Sequence, residues 1–176
     1  MNEDPSLKIK LIVIGEPAVG KTTLVTRYTT GFTPDRYLIT LGVNVTSHRI
    51  ELNNEPVLLQ IFDIAGQKQF SIIRRRFYLG SQGAIAVFDL TNEASLEALP
   101  GWIEEFHRYC GDNRPVIILG NKSDLEYRKA DEEKIDQLLQ KLNIPKEHLF
   151  ITSAVDGINV DVSFEKMASL ILDTRE

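Results

Sequence analysis

The chain has 176 residues, 43% hydrophobic and 26% charged, with a formal net charge of −5; this suffices for one domain with a real core and lacks the basic footprint of a nucleic-acid binder. Cys110 is the only cysteine, so an intramolecular disulfide is excluded and a reducing, cytoplasmic compartment is expected. The longest unbroken apolar run, Ala84 to Phe88, is far too short to span a bilayer, and the acidic opening MNEDPS has no signal-peptide core.

In chain order, residues 1–7 read as a flexible tail and Lys8 to Ile14 as a buried strand. Gly15-Glu16-Pro17-Ala18-Val19-Gly20-Lys21-Thr22 follows, matching G-x-x-x-x-G-K-[ST], and a helix is expected from Lys21 to about Thr30, stopping at Gly31. Phe32 to Leu41 contains Pro34 and has no periodicity, so it is loop. Val43 to Leu52 and Pro56 to Ile64 read as a hairpin about Asn53-Asn54-Glu55. Gln67 to Leu79 is polar and basic, an exposed helix or helical loop with Arg74-Arg75-Arg76 on its solvated, partner-facing side.

Gly83 to Phe88 is a continuous apolar strand. Leu96, Leu99, Ile103, Phe106 and Cys110 predict the core-facing stripe of a single helix, with Trp102 and Phe106 as packing residues and Cys110 in the core. Pro115 to Leu119 is the next strand, Ile135, Leu138, Leu139 and Leu142 mark a helix, Leu149 to Thr152 is a short strand, and Val160, Phe164, Met167, Ala168 and Ile171 mark the last helix. His48, His107 and His148 have no metal-ligand spacing. The alternation predicts an α/β fold. It is a three-layer phosphate-loop sandwich over residues 8–173, with a mostly parallel six-stranded sheet, one antiparallel hairpin strand and about five helices; residues 174–176 form the end of the chain.

In open α/β sheets, ligands bind beyond the carboxyl ends of the strands, and here every polar constellation follows a strand. In the first, backbone N–H groups and the positive end of the following helix make an anion nest. Its phosphate-binding residues are Gly15, Pro17, Ala18, Val19, Gly20, Lys21, Thr22 and Thr23. Lys21 reaches the β- and γ-phosphates, stabilising charge on the transferring group, and the Thr22 hydroxyl is placed to ligate Mg²⁺. In the second, Asp63 suits a place beside that Mg²⁺, Gly66 offers an unobstructed N–H to a γ-phosphate, and Gln67 is placed to orient the attacking water. In the third, Asn121, Lys122 and Asp124 choose the base. A carboxylate there accepts from N1–H and N2–H₂ of guanine but meets an acceptor and a C–H on adenine, while the Lys122 stem lies along the purine face.

These stretches, G-E-P-A-V-G-K-T-T, Y-L-I-T-L-G-V, D-I-A-G-Q, N-K-S-D and T-S-A, resemble those of a Ras-superfamily small GTPase of the Rab-like group, in order and spacing, across residues 8 to 172. The resemblance implies a switch hydrolysing GTP to GDP with Mg²⁺, with Gln67 and Lys21 as catalytic residues. It implies that Thr40 ligates Mg²⁺ with Thr22 and Asp63 and touches the γ-phosphate. Phe32, or a near neighbour, would pack on the base edge, Tyr37 would lie over the nucleotide, and Ser153 and Ala154 would support guanine through backbone N–H groups. Switch loops at about 32–45 and 63–79 would be held by the γ-phosphate and released after hydrolysis. Through them a monomer would meet effectors, an exchange factor and a GTPase-activating protein.

Several positions depart from the family pattern. Phe62, Ile64 and Lys68 stand where Trp, Thr and Glu are usual, which bears on partner choice. Val155 replaces a lysine beside the base, and Phe32 comes one residue early relative to Thr40. Pro17 lacks an N–H and adds bulk where the γ-phosphate and an incoming arginine must fit. The chain ends Asp173-Thr174-Arg175-Glu176 without a C-terminal cysteine or basic tail, so no prenyl anchor is expected on it as it stands. Peripheral membrane association would run through partners or a tail not in this sequence. Two alternatives stay open: a nucleotide-dependent binding module with little hydrolysis because of Pro17, and a phosphate-loop kinase of a small molecule.

Overall fold

Ile9, Leu11 and Val13 alternate along strand β1 (Leu7–Ile14) with Ile12 and Ile14, and the two sets enter different hydrophobic cores on opposite faces of one sheet. Side chains of successive strand residues point to opposite faces, so a strand with an unbroken apolar run, Leu11 to Ile14 here, must be covered on both. The computed structural model describes residues 7–34, 39–67 and 71–174, the last range without the side chains of residues 71–73. Among these, the further elements are α1 (Lys21–Thr30), β2 (Val43–Leu52), β3 (Glu55–Ile64), α2 (Ser71–Tyr78), β4 (Gly83–Asp89), α3 (Glu93–Glu97), α4 (Leu99–Cys110), β5 (Val116–Asn121), α5 (Glu132–Leu142), β6 (Leu149–Ile151) and α6 (Val160–Asp173).

The six strands run in the order β2-β3-β1-β4-β5-β6, parallel except for β2 against β3. Asn53 and Asn54, both with positive φ, make the two-residue turn of that antiparallel pair and set Leu52 opposite Glu55. Leu24, Val25 and Tyr28 of α1 and Phe164, Met167 and Ile171 of α6 close one face; Tyr78, Trp102, Phe106, Ile135 and Leu139 from the other helices close the second. The fold is the expected α/β phosphate-loop sandwich, with β1 central. Successive crossovers leave β1 toward β3 on one side and reach β4 on the other, which opens a crevice above the carboxyl end of β1.

Three expectations need correction. The stripe from Leu96 to Cys110 belongs to two helices, because Pro100, second residue of α4, has no N–H for a carbonyl of the preceding turn and its ring would clash there. Cys110 is only half-buried, its Sγ–H donating to the Tyr78 carbonyl at 3.0 Å. The third correction concerns Arg74. Far from being solvated, it is 7% exposed, while Arg75 and Arg76 remain exposed.

Candidate nucleotide-binding site

The loop between β1 and α1 is shaped by what it must pass. Gly20, with φ 102°, begins α1 in a left-handed conformation, and a Cβ there would lie 2.3 Å from Asn121 Nδ2. Asn121 uses that closeness. Its Nδ2 donates to the Val19 carbonyl at 2.9 Å, and its Oδ1 accepts from Ala154 N and Thr152 Oγ1, each at 3.2 Å. One buried amide thus joins the loops after β1, β5 and β6 with its acceptor and a donor satisfied.

Lys122, at positive φ, sends its ammonium to the Ala18 carbonyl at 2.8 Å and to Asp89 Oδ2 at 2.6 Å. Burial alone would raise the Asp89 carboxyl, but hydrogen bonds from Lys122 and Thr91 and the Lys122 charge hold it below the usual carboxylate range. Asp89 was not among the residues read from the sequence. The signal was there: it is the single carboxylate ending a strand buried at every position, on the same edge as the other motifs. Asp124 is exposed, with Oδ1 accepting from the Ser153 hydroxyl at 2.7 Å.

Lys21 is 6% exposed, and its ammonium donates to the Gly15 and Glu16 carbonyls at 2.8 and 2.7 Å. Burial pulls its pKa down to about 8, against the attraction of Asp63 and Glu16. A buried cation held by carbonyls without a carboxylate in contact suits an anionic ligand. Beside it, Thr22 Oγ1 lies 2.6 Å from Thr40 Oγ1 and donates to Asp63 Oδ2 at 2.5 Å. Asp63 is 1% exposed, and burial pushes its carboxyl above the usual range against hydrogen bonds from Thr22 and Thr40 and the Lys21 charge. Its Oδ1 is buried without a partner. Three hard oxygen donors meeting at one place, one short of a partner, fit a small divalent cation such as Mg²⁺.

Lys21, Thr22 and Thr40 border a cleft of about 530 Å³ whose walls also include Pro17, Ala18, Gly20, Thr23, Gly66, Gln67 and Lys122. Gly15, Val19, Asn121 and Ala154 are tied to that wall by the hydrogen bonds given above, and Ser153 is tied to Asp124. Gly66 is packed against the phosphate loop, where a Cβ would meet Pro17 N at 2.5 Å. Gln67 Oε1 is buried and unpaired.

Phe32 is 76% exposed. Its neighbour Thr33 is the residue fastened to the base loop, with its hydroxyl shared between the Ala154 and Val155 carbonyls at 3.1 Å each. Arg27 of α1 backs this contact, 3.3 Å from both Thr33 Oγ1 and the Val155 carbonyl. Tyr37 and Lys68 lie outside the described residues. Two further contacts were missed by the sequence reading: Trp102 Nε1–H donates to Glu16 Oε1 at 2.9 Å, and Arg74 bonds Glu105. Neither pair has a sequence signature, since each joins elements far apart in the chain.

Among the described residues, no helix is long and apolar enough to cross a membrane. A sequence model of the Ras family matches residues 10–173, a span that includes all four strand-end loops. Ras-related protein RABD2a of Arabidopsis thaliana is 35% identical over 172 residues, covering 97% of this chain and 83% of the relative. Members of this family are GTPases that bind GTP and GDP, generally with Mg²⁺, and act as switches toward effectors, exchange factors and activating proteins. With its phosphate loop, the Thr22 and Thr40 hydroxyls, Gly66, Gln67 and Lys122 lining one cleft, the chain belongs to the Ras family of small GTPases, on its Rab-like side.

Proposed function

We propose that residues 8–173 act as one GTPase domain that hydrolyses GTP to GDP slowly and reports the nucleotide state through the loops at about 32–45 and 63–79, in membrane trafficking or signalling. The observation that carries this reading is the meeting of Thr22, Thr40 and Asp63 oxygens beside Lys21, because it joins a switch loop to the phosphate loop at the place a triphosphate–Mg²⁺ pair needs. Thr22, Thr40 and Asp63 would hold Mg²⁺, which when bound neutralises phosphate charge. Lys21 and the N–H groups of residues 18–23 bind the phosphates, Gly66 gives its N–H to the γ-phosphate, and Gln67 holds the attacking water in line. Asn121, Lys122, Asp124 and the N–H groups of Ser153, Ala154 and Val155 hold guanine, with Phe32 and Tyr37 closing over the nucleotide.

Turnover without a partner is expected to be slow. The guanidinium of Arg74 is already committed to Glu105 and the Gln67 carbonyl, and an arginine supplied in trans is worth on the order of 10³ to 10⁵ in rate. Ile39 and Leu41, 76% and 78% exposed on either side of Thr40, give effectors, exchange factor or activator an apolar grip that follows the state of Thr40.

The test is phosphate release from preloaded GTP under single-turnover conditions. Gln67→Leu is expected to slow it by at least about tenfold, since the water loses its anchor; an equal rate would remove Gln67 from the mechanism. A second reading, a binding module with little hydrolysis, is favoured by Pro17, which borders the cleft without an N–H and abuts Gly66. Under that reading GTP stays intact on the protein for days, and Gln67→Leu changes nothing.

A further inference from the structure

Helix α4 grips both walls of the phosphate end of the cleft through one indole ring. On one side, Trp102 Nε1–H donates to Glu16 Oε1 at 2.9 Å; the carbonyl of the same Glu16 accepts from Lys21 at 2.7 Å. On the other, the Arg74 guanidinium lies 4.5 Å from the centre of a Trp102 ring. One helical turn along, Glu105 engages that guanidinium twice, from Nε at 3.3 Å and Nη2 at 3.1 Å. The remaining nitrogen, Nη1, donates to the Gln67 carbonyl at 3.3 Å. The ion pair is well shielded, with 9% of the arginine side chain and 22% of the glutamate side chain exposed. A rigid planar fork on a carboxylate and an aromatic face keeps its direction better than a solvated ammonium does.

The effect on Gln67 is specific. Its backbone carbonyl is anchored while its side-chain Oε1 is buried with no partner, so the chain is fixed at the root of a side chain left free to bond something else. We propose that Arg74 is a positioning residue for hydrolysis: clamped by Glu105 and Trp102, it fixes the Gln67 backbone and thereby the place from which the Gln67 amide reaches water. The same contacts engage all three guanidinium nitrogens within the protein, which turns Arg74 toward Glu105 and the Gln67 carbonyl and leaves it poorly placed to act as a catalytic arginine in cis. This proposal rests on the reading of Gln67 as the water-orienting residue.

The test is a double-mutant cycle on single-turnover GTP hydrolysis. Arg74→Met keeps an unbranched side chain at this position and removes the donors and the charge; it is expected to slow hydrolysis about tenfold while GTP and GDP affinities stay within about twofold. Arg74→Lys, which restores charge without the fork, is expected not to rescue the rate. In a Gln67→Leu background, Arg74→Met is expected to add no further loss, because both changes remove the same placement. Multiplying losses, or an unchanged rate for Arg74→Met where Gln67→Leu alone is slow, would overturn the role of Arg74. An unchanged rate for Gln67→Leu alone would instead overturn the reading of Gln67, and the proposal with it. Should Arg74→Met lower the unfolding temperature enough to prevent assay, Glu105→Gln takes its place with a loss of about threefold and the same non-additivity; additive behaviour would be contrary.

Discussion

Gly66→Ala is expected to slow single-turnover GTP hydrolysis by about 10²-fold or more. A Cβ built on Gly66 would stand 2.5 Å from Pro17 N, 2.6 Å from the Glu16 carbonyl carbon and 2.7 Å from Gly15 O. All three are backbone atoms, so no side-chain rotamer relieves the overlap. The loop after β3 and the phosphate loop must instead move apart, and close-packed segments do not absorb this by small local give. Separation displaces Gln67, one residue on, and under the proposed function would withdraw the Gly66 N–H from the γ-phosphate. The overlap is also expected to lower folding stability by about 1–3 kcal/mol, read by denaturant titration. GDP, which has no γ-phosphate, should bind within about tenfold of the unaltered protein. A hydrolysis rate equal to that of the unaltered protein would mean that the contact between these two loops opens in the working state.

Asp124→Ala is expected to remove most of the preference for guanine. Asp124 is oriented from one side by the Ser153 hydroxyl at 2.7 Å on Oδ1, which leaves Oδ2 uncommitted for the base. A site built around required hydrogen bonds rejects an analogue lacking them by on the order of 10⁴-fold, and that selectivity should collapse when the acceptor is deleted. The informative ligand is inosine triphosphate, which lacks only the exocyclic amine. The unaltered protein should bind GTP far more tightly than inosine triphosphate, and Asp124→Ala should bind the two nearly alike. Retention of the full preference by the variant would move base choice elsewhere, to Asn121 or the 153–155 loop.

The parts of the fold that were legible in the sequence are those specified by local chemistry. A continuous apolar run predicts a strand covered on both faces, and β1, β4 and β5 are such strands. Gly31, with φ 76°, stops α1 where a left-handed residue was needed. The candidate site was legible for a related reason. Its residues come in short runs directly after strands, and the fold brings the ends of parallel strands to one edge. Pro100 should have divided the helix that the apolar stripe suggested, but periodicity outweighed the breaker in that reading.

What stayed hidden depends on pairs far apart in the chain. Arg74 has two arginine neighbours, and composition cannot say that one of the three turns inward onto Glu105, 31 residues away. Trp102 reads as core because its indole is apolar, yet its one N–H needs an acceptor and finds Glu16. Asp89 escaped notice because a lone aspartate after a strand is common, and only the fold sets Lys122 against it. Thr33 fastens the segment after α1 to the 154–155 loop because it has a hydroxyl that two carbonyls there can share. In each case the local sequence states a capacity and the tertiary fold supplies the partner.

Under the proposed function the cleft selects a guanine nucleotide with Mg²⁺. Calorimetric titration of nucleotide-free protein with GTP and with ATP, in the presence of Mg²⁺, tests it most directly. GTP is expected to bind tighter than ATP by on the order of 10⁴-fold, with GTP affinity falling when Mg²⁺ is chelated. ATP binding as tightly as GTP, or more tightly, would contradict it and point to a phosphate-loop kinase.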